Sequence, residues 1–200
     1  MKRLLLLSLV LLGLASCETK GGEVEEITLT QQEENDLLFL REEEKLARDV
    51  YLYAFDKYGL QIFSNIAGSE QNHMNMVLGL LTKYGLTDPA STERGVFTNT
   101  ELQMLYNQLT VLVDNSLLNA LIVGATIEDL DINDIKTFEG HTEKNDLLDV
   151  YAKLSCGSRN HLRSYYSQLQ SRGYTYQAQY ISQQELEAIV NSSNERCGGH

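Results

Sequence analysis

Apolar positions recur at helical spacing along most of the chain, and the stripes they form predict four long helices. The first runs from Leu37 to Tyr58 through Leu37, Leu40, Ala47, Tyr51, Ala54 and Phe55. Glu44 falls on that stripe, whereas its neighbours Glu42 and Glu43 fall off it and read as solvated. The second runs from about Ile62 to Tyr84, with Gly85 suited to a left-handed cap; Glu70 and His73 interrupt its stripe of Phe63, Ile66, Ala67, Val77 and Leu81. Asp88-Pro89 breaks the chain. Thr98-Asn99-Thr100-Glu101 has the form of a capping box and starts a short helix reaching about Val113. The third stripe begins near Ser116 with Leu117, Leu121, Gly124, Ala125, Ile132 and Ile135, and carries Glu128 at its middle. Small Gly124 and Ala125 would leave room for neighbouring side chains. The fourth runs from about Lys144 to Gln170, where Leu147, Val150, Tyr151, Leu154, Ser158, His161, Leu162 and Tyr165 share the inward face. These elements predict an all-α protein: a four-helix bundle over residues 35–173, with a long crossover between its second and third helices carrying the short helix. A tail over residues 174–200 packs on the bundle, with a helix from Gln183 to Val190 capped by Ser182.

A polar residue on a core stripe is costly unless it is hydrogen-bonded, paired or bound to metal, and four stripes carry one at mid-height. Glu70 and His73 lie three apart and so share a face. The pattern recurs as Ser158-Arg159-Asn160-His161, with serine in the place of the glutamate. Glu44 precedes Glu70 by 26 residues and Glu128 precedes Ser158 by 30, so the chain reads as two similar halves. A glutamate helix followed by a Glu-x-x-His helix, twice, is the ligand pattern of a carboxylate-bridged pair of metals inside a bundle. Glu44, Glu70, His73, Glu128 and His161 are the candidate ligands, with Glu70 and Glu128 as the bridges. Mixed oxygen and nitrogen donors suit iron, manganese or zinc better than calcium. Serine is a weak ligand, so two ions of unequal occupancy, or a single ion, are both open; Asp131, three after Glu128, is a further donor if the helix continues. Tyr51 reads as packing, and His141 and His200, off any stripe, as solvated.

These residues carry a resemblance. Glu44-Lys45-Leu46-Ala47-Arg48-Asp49-Val50-Tyr51 resembles the Glu-x-x-Ala-Arg-x-x-Tyr first helix of rubrerythrins and related ferritin-like proteins. Ile66-Ala67 followed by Glu70 and His73 resembles their second helix. From about Leu37 to the tail the chain is similar to the DUF2202 family. The resemblance implies the ferritin-like bundle and a dinuclear, in first place di-iron, site. Oxidase, peroxidase and ferroxidase chemistry with O2 or peroxide are all open. The chain lacks the paired Cys-x-x-Cys motifs of a rubredoxin-like relay, so turnover needs an external reductant. A second reading is a non-catalytic scaffold or binding lipoprotein with structural metal or none.

The first residues change where this chemistry takes place. Lys2-Arg3 followed by the apolar run Leu4 to Leu14 is too short to span a membrane and reads as a secretory signal. Leu14-Ala15-Ser16-Cys17 resembles a bacterial lipobox. That resemblance implies cleavage after residue 16, lipid on Cys17, and a location in the cell envelope on the extracytoplasmic side. Residues 17–34, acidic and glycine-bearing, read as a tether. Loss of Lys2 and Arg3 takes the net charge from −12 to −14, which argues against nucleic acid and anionic headgroups as partners and leaves the lipid as the membrane attachment. In an oxidising compartment Cys156 and Cys197 are expected to pair rather than remain free thiols, with Cys156 on the outer face of its helix. The oligomeric state is not legible.

Overall fold

The computed structural model describes residues 28–198. The leader, Cys17, residues 18–27 of the expected tether and His200 lie outside the described residues. Six helices follow one another: α1 (Gln31–Tyr58), α2 (Gln61–Lys83), α3 (Thr100–Asn115), α4 (Leu117–Glu139), α5 (Asn145–Gln170) and α6 (Gln183–Val190). No strand occurs among the described residues, and no helix there is long and apolar enough to cross a membrane.

Capping chemistry sets the boundaries. The Thr30 hydroxyl accepts the Glu33 N–H at 3.2 Å while the Glu33 carboxylate accepts the Thr30 N–H at 2.7 Å, a reciprocal cap. Residues 31–34, expected to be tether, are therefore the first turn of α1. Gly59, at φ 64°, ends α1 with its N–H on the Phe55 carbonyl, and α2 returns at once. Asn99, not Thr98, caps α3, accepting the N–H groups of Glu101 and Leu102; the Thr98 hydroxyl instead donates to the Pro89 carbonyl. Ser116 caps α4 and Ser182 caps α6.

Short connections make α1–α2 and α4–α5 two hairpins, and the hairpins pack face to face. Tyr51 of α1 meets Gly124 and Glu128 of α4, whereas Phe39 meets Phe138, so α1 and α4 run in opposite directions. Phe63 meets Tyr165, and His73 approaches Gly157, so α2 and α5 do too. Hence α2 and α4 run the same way, and the chain must traverse the bundle between them; α3 lies on that crossover, against α1 and α4. Glu42, expected to be solvated, is buried because it holds the crossover in place: its two oxygens accept the N–H groups of Thr98 and Asn99 at 2.7 and 2.8 Å. Glu43, also expected to be solvated, is buried against α4.

The apolar core has two parts. One gathers Val50, Tyr51, Phe63, Leu121 and Tyr165; the other gathers Leu37, Leu40, Leu81, Ile135 and Leu154. Between them lies a layer of carboxylates and imidazoles.

The tail covers the outside of α5. Arg159 and Arg163 bond the Glu195 carboxylate, and these two guanidiniums hold that carboxyl down at about 2. Asp129 accepts the backbone N–H groups of Gln179 and Ile181 and the hydroxyl of Tyr176. A disulfide joins Cys156 to Cys197, and Cys156 is buried.

Candidate metal centre

Helical periodicity brings five side chains from four helices to the polar layer: Glu44 from α1, Glu70 and His73 from α2, Glu128 from α4 and His161 from α5. The three carboxylates are fully buried, and His73 and His161 are 4 % and 8 % exposed. Their donor atoms fall into two trios, Glu44–Glu70–His73 and Glu70–Glu128–His161, each with its atoms within 4.8 Å of one another. Glu70 belongs to both. His73 Nδ1 lies 2.8 Å from one Glu70 oxygen and 3.2 Å from Glu44. His161 Nδ1 lies 2.8 Å from the other Glu70 oxygen and 3.3 Å from Glu128. The two rings stack at 5.6 Å, giving the layer an approximate two-fold arrangement about Glu70.

The expectation that Glu128 is a second bridge is not what the geometry gives. Glu128 belongs to one trio, and its other oxygen accepts the Tyr51 hydroxyl at 2.6 Å. Tyr51 thus packs in the core and also orients a donor. Ser158 is buried, but its hydroxyl donates back to the Leu154 carbonyl at 3.2 Å and so turns to its own helix rather than to the trios. Gly124 does not leave room for ligands: its missing Cβ is the space into which the Tyr165 ring fits. Gly157 has the corresponding role for His73, whose Nε2 would lie 2.4 Å from a Cβ at that position. His141 is exposed, as expected, bonds Asp36 at 2.8 Å and stands apart from the trios.

Two contributors escaped the sequence reading. The Ser69 hydroxyl lies 2.9 Å from His161 Nε2 and fixes which ring nitrogen faces the carboxylates; nothing in its sequence position marks it. Glu43 joins Asp131 beside the layer. Neither oxygen of either residue has a hydrogen-bond partner.

Both Glu70 oxygens and Glu44 Oε1 also lack a hydrogen bond, although the Glu70 oxygens approach imidazole nitrogens closely. Close approach without hydrogen-bond geometry, in a fully buried place, is an arrangement that a cation would satisfy. Protons are the other way of balancing the layer. Burial pushes Glu44 up to about 7 against the opposing pull of His73. Burial likewise raises Glu128. Glu70 is held low by the two imidazoles in spite of its burial. His161 is pushed up to about 10: burial opposes its charge, but Glu70 and Glu128 outweigh it. His73 is raised well above its usual range by Glu70 and Glu44 against the same opposition. The layer can therefore hold protons on its imidazoles.

The sequence pattern of a family described as "Uncharacterized protein domain (DUF2202)" matches residues 33–193. The chain is 48% identical over 169 residues to the "Uncharacterized protein MJ0754" of Methanocaldococcus jannaschii, covering 84% of this chain and 91% of that protein. The crystal structure of hypothetical protein MJ0754 from Methanococcus jannaschii DSM 2661 superposes with a TM-score of 0.82, covering 84% of this chain and 96% of that one.

Proposed function

We propose that this chain, which belongs to the DUF2202 family, is a ferritin-like metal-binding protein whose bundle holds two divalent cations, in first place iron, one in each trio. The observation that carries this reading is the pair of buried trios meeting at Glu70 with carboxylate oxygens that no donor answers. The donors fit: two imidazoles and three carboxylates are the mixed set that iron, manganese and zinc accept. The antiparallel hairpins joined by a crossover support the ferritin-like assignment.

Bound iron would supply electron exchange with O2 or peroxide, and that chemistry belongs to the metal rather than to the chain. What the chain does is hold and orient. Glu44 and Glu128 would each hold one ion, and Glu70, which belongs to both trios, would hold both. Tyr51 fixes Glu128, and Ser69 fixes His161. The two apolar clusters above and below keep water from the layer. His73 and His161 would give up their protons on holding a metal. With the reaction goes a location: the leader and Cys17 support a lipid-anchored protein on the extracytoplasmic side, supplied with electrons by an external reductant.

Elemental analysis and calorimetric titration of the metal-stripped protein test the reading. Two ions per chain are expected for wild type, one for Glu44→Gln, and none for Glu70→Gln. A wild-type protein that takes up no Fe2+, Mn2+ or Zn2+ at millimolar concentration would overturn it, as would a Glu70→Gln variant with wild-type stoichiometry.

A further inference from the structure

Beside the two trios stand carboxylates that the centre does not use. Glu43 and Asp131 are 1 % and 0 % exposed, and all four of their oxygens lack a partner. Buried carboxylates ordinarily face a cation or several N–H groups. Here the groups acting on Glu43 are Asp134 and Glu44, and those acting most on Asp131 are Glu43, Glu44, Glu128 and Glu70. All of them are acids. Asp134 is within hydrogen-bonding reach of Glu43, yet two carboxylates can bond only by sharing a proton.

The arrangement has a direction. Glu128, Asp131 and Asp134 follow one another on α4 at intervals of three, a rise of about 4.5 Å and a turn of about 60° each. The row therefore winds from the centre outward. At its outer end Asp134 is half-buried and lines a surface pocket of about 630 Å³ between α1, α4 and the crossover, whose walls include Asp36, Glu42 and Phe138. Asp36 and Glu42 already have partners: Gln32 and His141 for the first, two backbone N–H groups for the second. Asp134 accepts only the amide of its neighbour Asn133. Glu43, adjoining Glu44 on α1, stands beside this row. Between the pocket and the centre thus stand the four unanswered oxygens of Glu43 and Asp131.

We propose that Asp134, Glu43 and Asp131 form an entry path for divalent cations, with a holding position at Glu43 and Asp131, leading from this pocket to the centre. The path rests on the reading of the trios as a metal centre. Asp134 and Asp131 on α4 and Glu43 on α1 offer carboxylate oxygens from two helices, so a hard cation shedding its water passes from one set of oxygens to the next. The path explains why α1 buries two successive glutamates: Glu44 belongs to the destination and Glu43 to the approach.

Stopped-flow mixing of the metal-free full chain with Co2+ alone, followed by its visible absorption and by calorimetric stoichiometry, tests the proposal. Glu43→Gln and Asp131→Asn keep size and remove charge. Each should slow filling of the centre at least tenfold while its final occupancy stays at the wild-type value. Asp134→Asn, at the half-buried pocket wall where folding is least at risk, should slow filling as well. Asp36→Asn, which lines the same pocket but already has partners, should not. Wild-type filling rates in folded Asp134→Asn and Asp131→Asn would overturn the path and leave the centre standing. Loss of final occupancy in Asp131→Asn would overturn it too, because Asp131 would then be a ligand of the centre. A wild-type protein that takes up no Co2+ would overturn both readings.

Discussion

Gly157 is where helix packing and the centre constrain each other most directly. In the interior of a helix, glycine to alanine ordinarily stabilises by about 0.5–1 kcal/mol. Gly68 and Gly79 on α2 are exposed and have nothing within 4 Å of an added Cβ, so Gly68→Ala and Gly79→Ala should show that gain. At Gly157 the same methyl would lie 2.4 Å from His73 Nε2 and 2.6 Å from its Cε1, against 3.4 Å for ordinary contact. The ring has little freedom to yield: Glu44 and Glu70 hold its Nδ1 on one side, and His161 stacks on its face. Either α5 moves away from α2 by about 1 Å or His73 leaves its trio. Overpacking of this kind costs about 1–3 kcal/mol. The propensity gain is common to both variants, so Gly157→Ala should be less stable than Gly79→Ala by about 1–3 kcal/mol. At roughly 2–4 °C per kcal/mol for a chain of this size, the gap in Tm is about 2–12 °C. Thermal unfolding followed by circular dichroism on metal-free protein measures it. A Gly157→Ala variant as stable as Gly79→Ala would refute the reasoning, for it would mean that α2 and α5 are not in close contact at His73.

Two further perturbations test other parts of the same layer and its covering. Tyr51→Phe removes the donor from Glu128 Oε1 and leaves a buried acceptor unanswered, which should cost the metal-free protein about 1–3 kcal/mol; an unchanged Tm would show that this hydroxyl does not hold Glu128. The disulfide closes a loop with its cysteines 41 residues apart, for which the chain-entropy account gives about 4 kcal/mol. Cys197→Ser should therefore lower Tm as much as reductant lowers it in wild type, and reductant should have no added effect on that variant.

The five donors were legible because a helix repeats every 3.6 residues and buried charge is expensive: Glu44, Glu70, His73, Glu128 and His161 each stood out as polar on an otherwise apolar stripe. Glu42 and Glu43 were not, for the opposite reason. A stripe read from one helix predicts one buried face, but α1 is covered by α2, α3 and α4 together, so residues off the stripe are buried by the crossover and by α4. The start of α1 was hidden because Thr30 and Glu33 lie in a polar, acidic stretch whose composition resembles a tether, and only the reciprocal cap reveals the helix. Thr98-Asn99-Thr100-Glu101 contains two residues able to cap α3; the Thr98 hydroxyl is engaged by Pro89, nine residues earlier, which leaves the position to Asn99. Glu70 as the one carboxylate shared by both trios follows from the direction in which side chains leave four helices, which no single periodicity contains.

The tail gives the two halves of the layer unequal resistance to local opening. Arg159, Asn160 and Arg163 flank His161 on α5, and all three are tied to residues between Ile189 and Glu195. The disulfide fastens Cys197, just past that stretch, to Cys156, five residues before His161. His161 therefore owes part of its fixed position to the last stretch of the chain, whereas Glu44 and His73 sit on a hairpin that the tail does not brace. Detaching the tail by reduction or proteolysis would loosen α5 first, so amide exchange around His161 would quicken before exchange around Glu44 and Glu70. The bundle would pass through a state in which one trio is frayed while the other is still set.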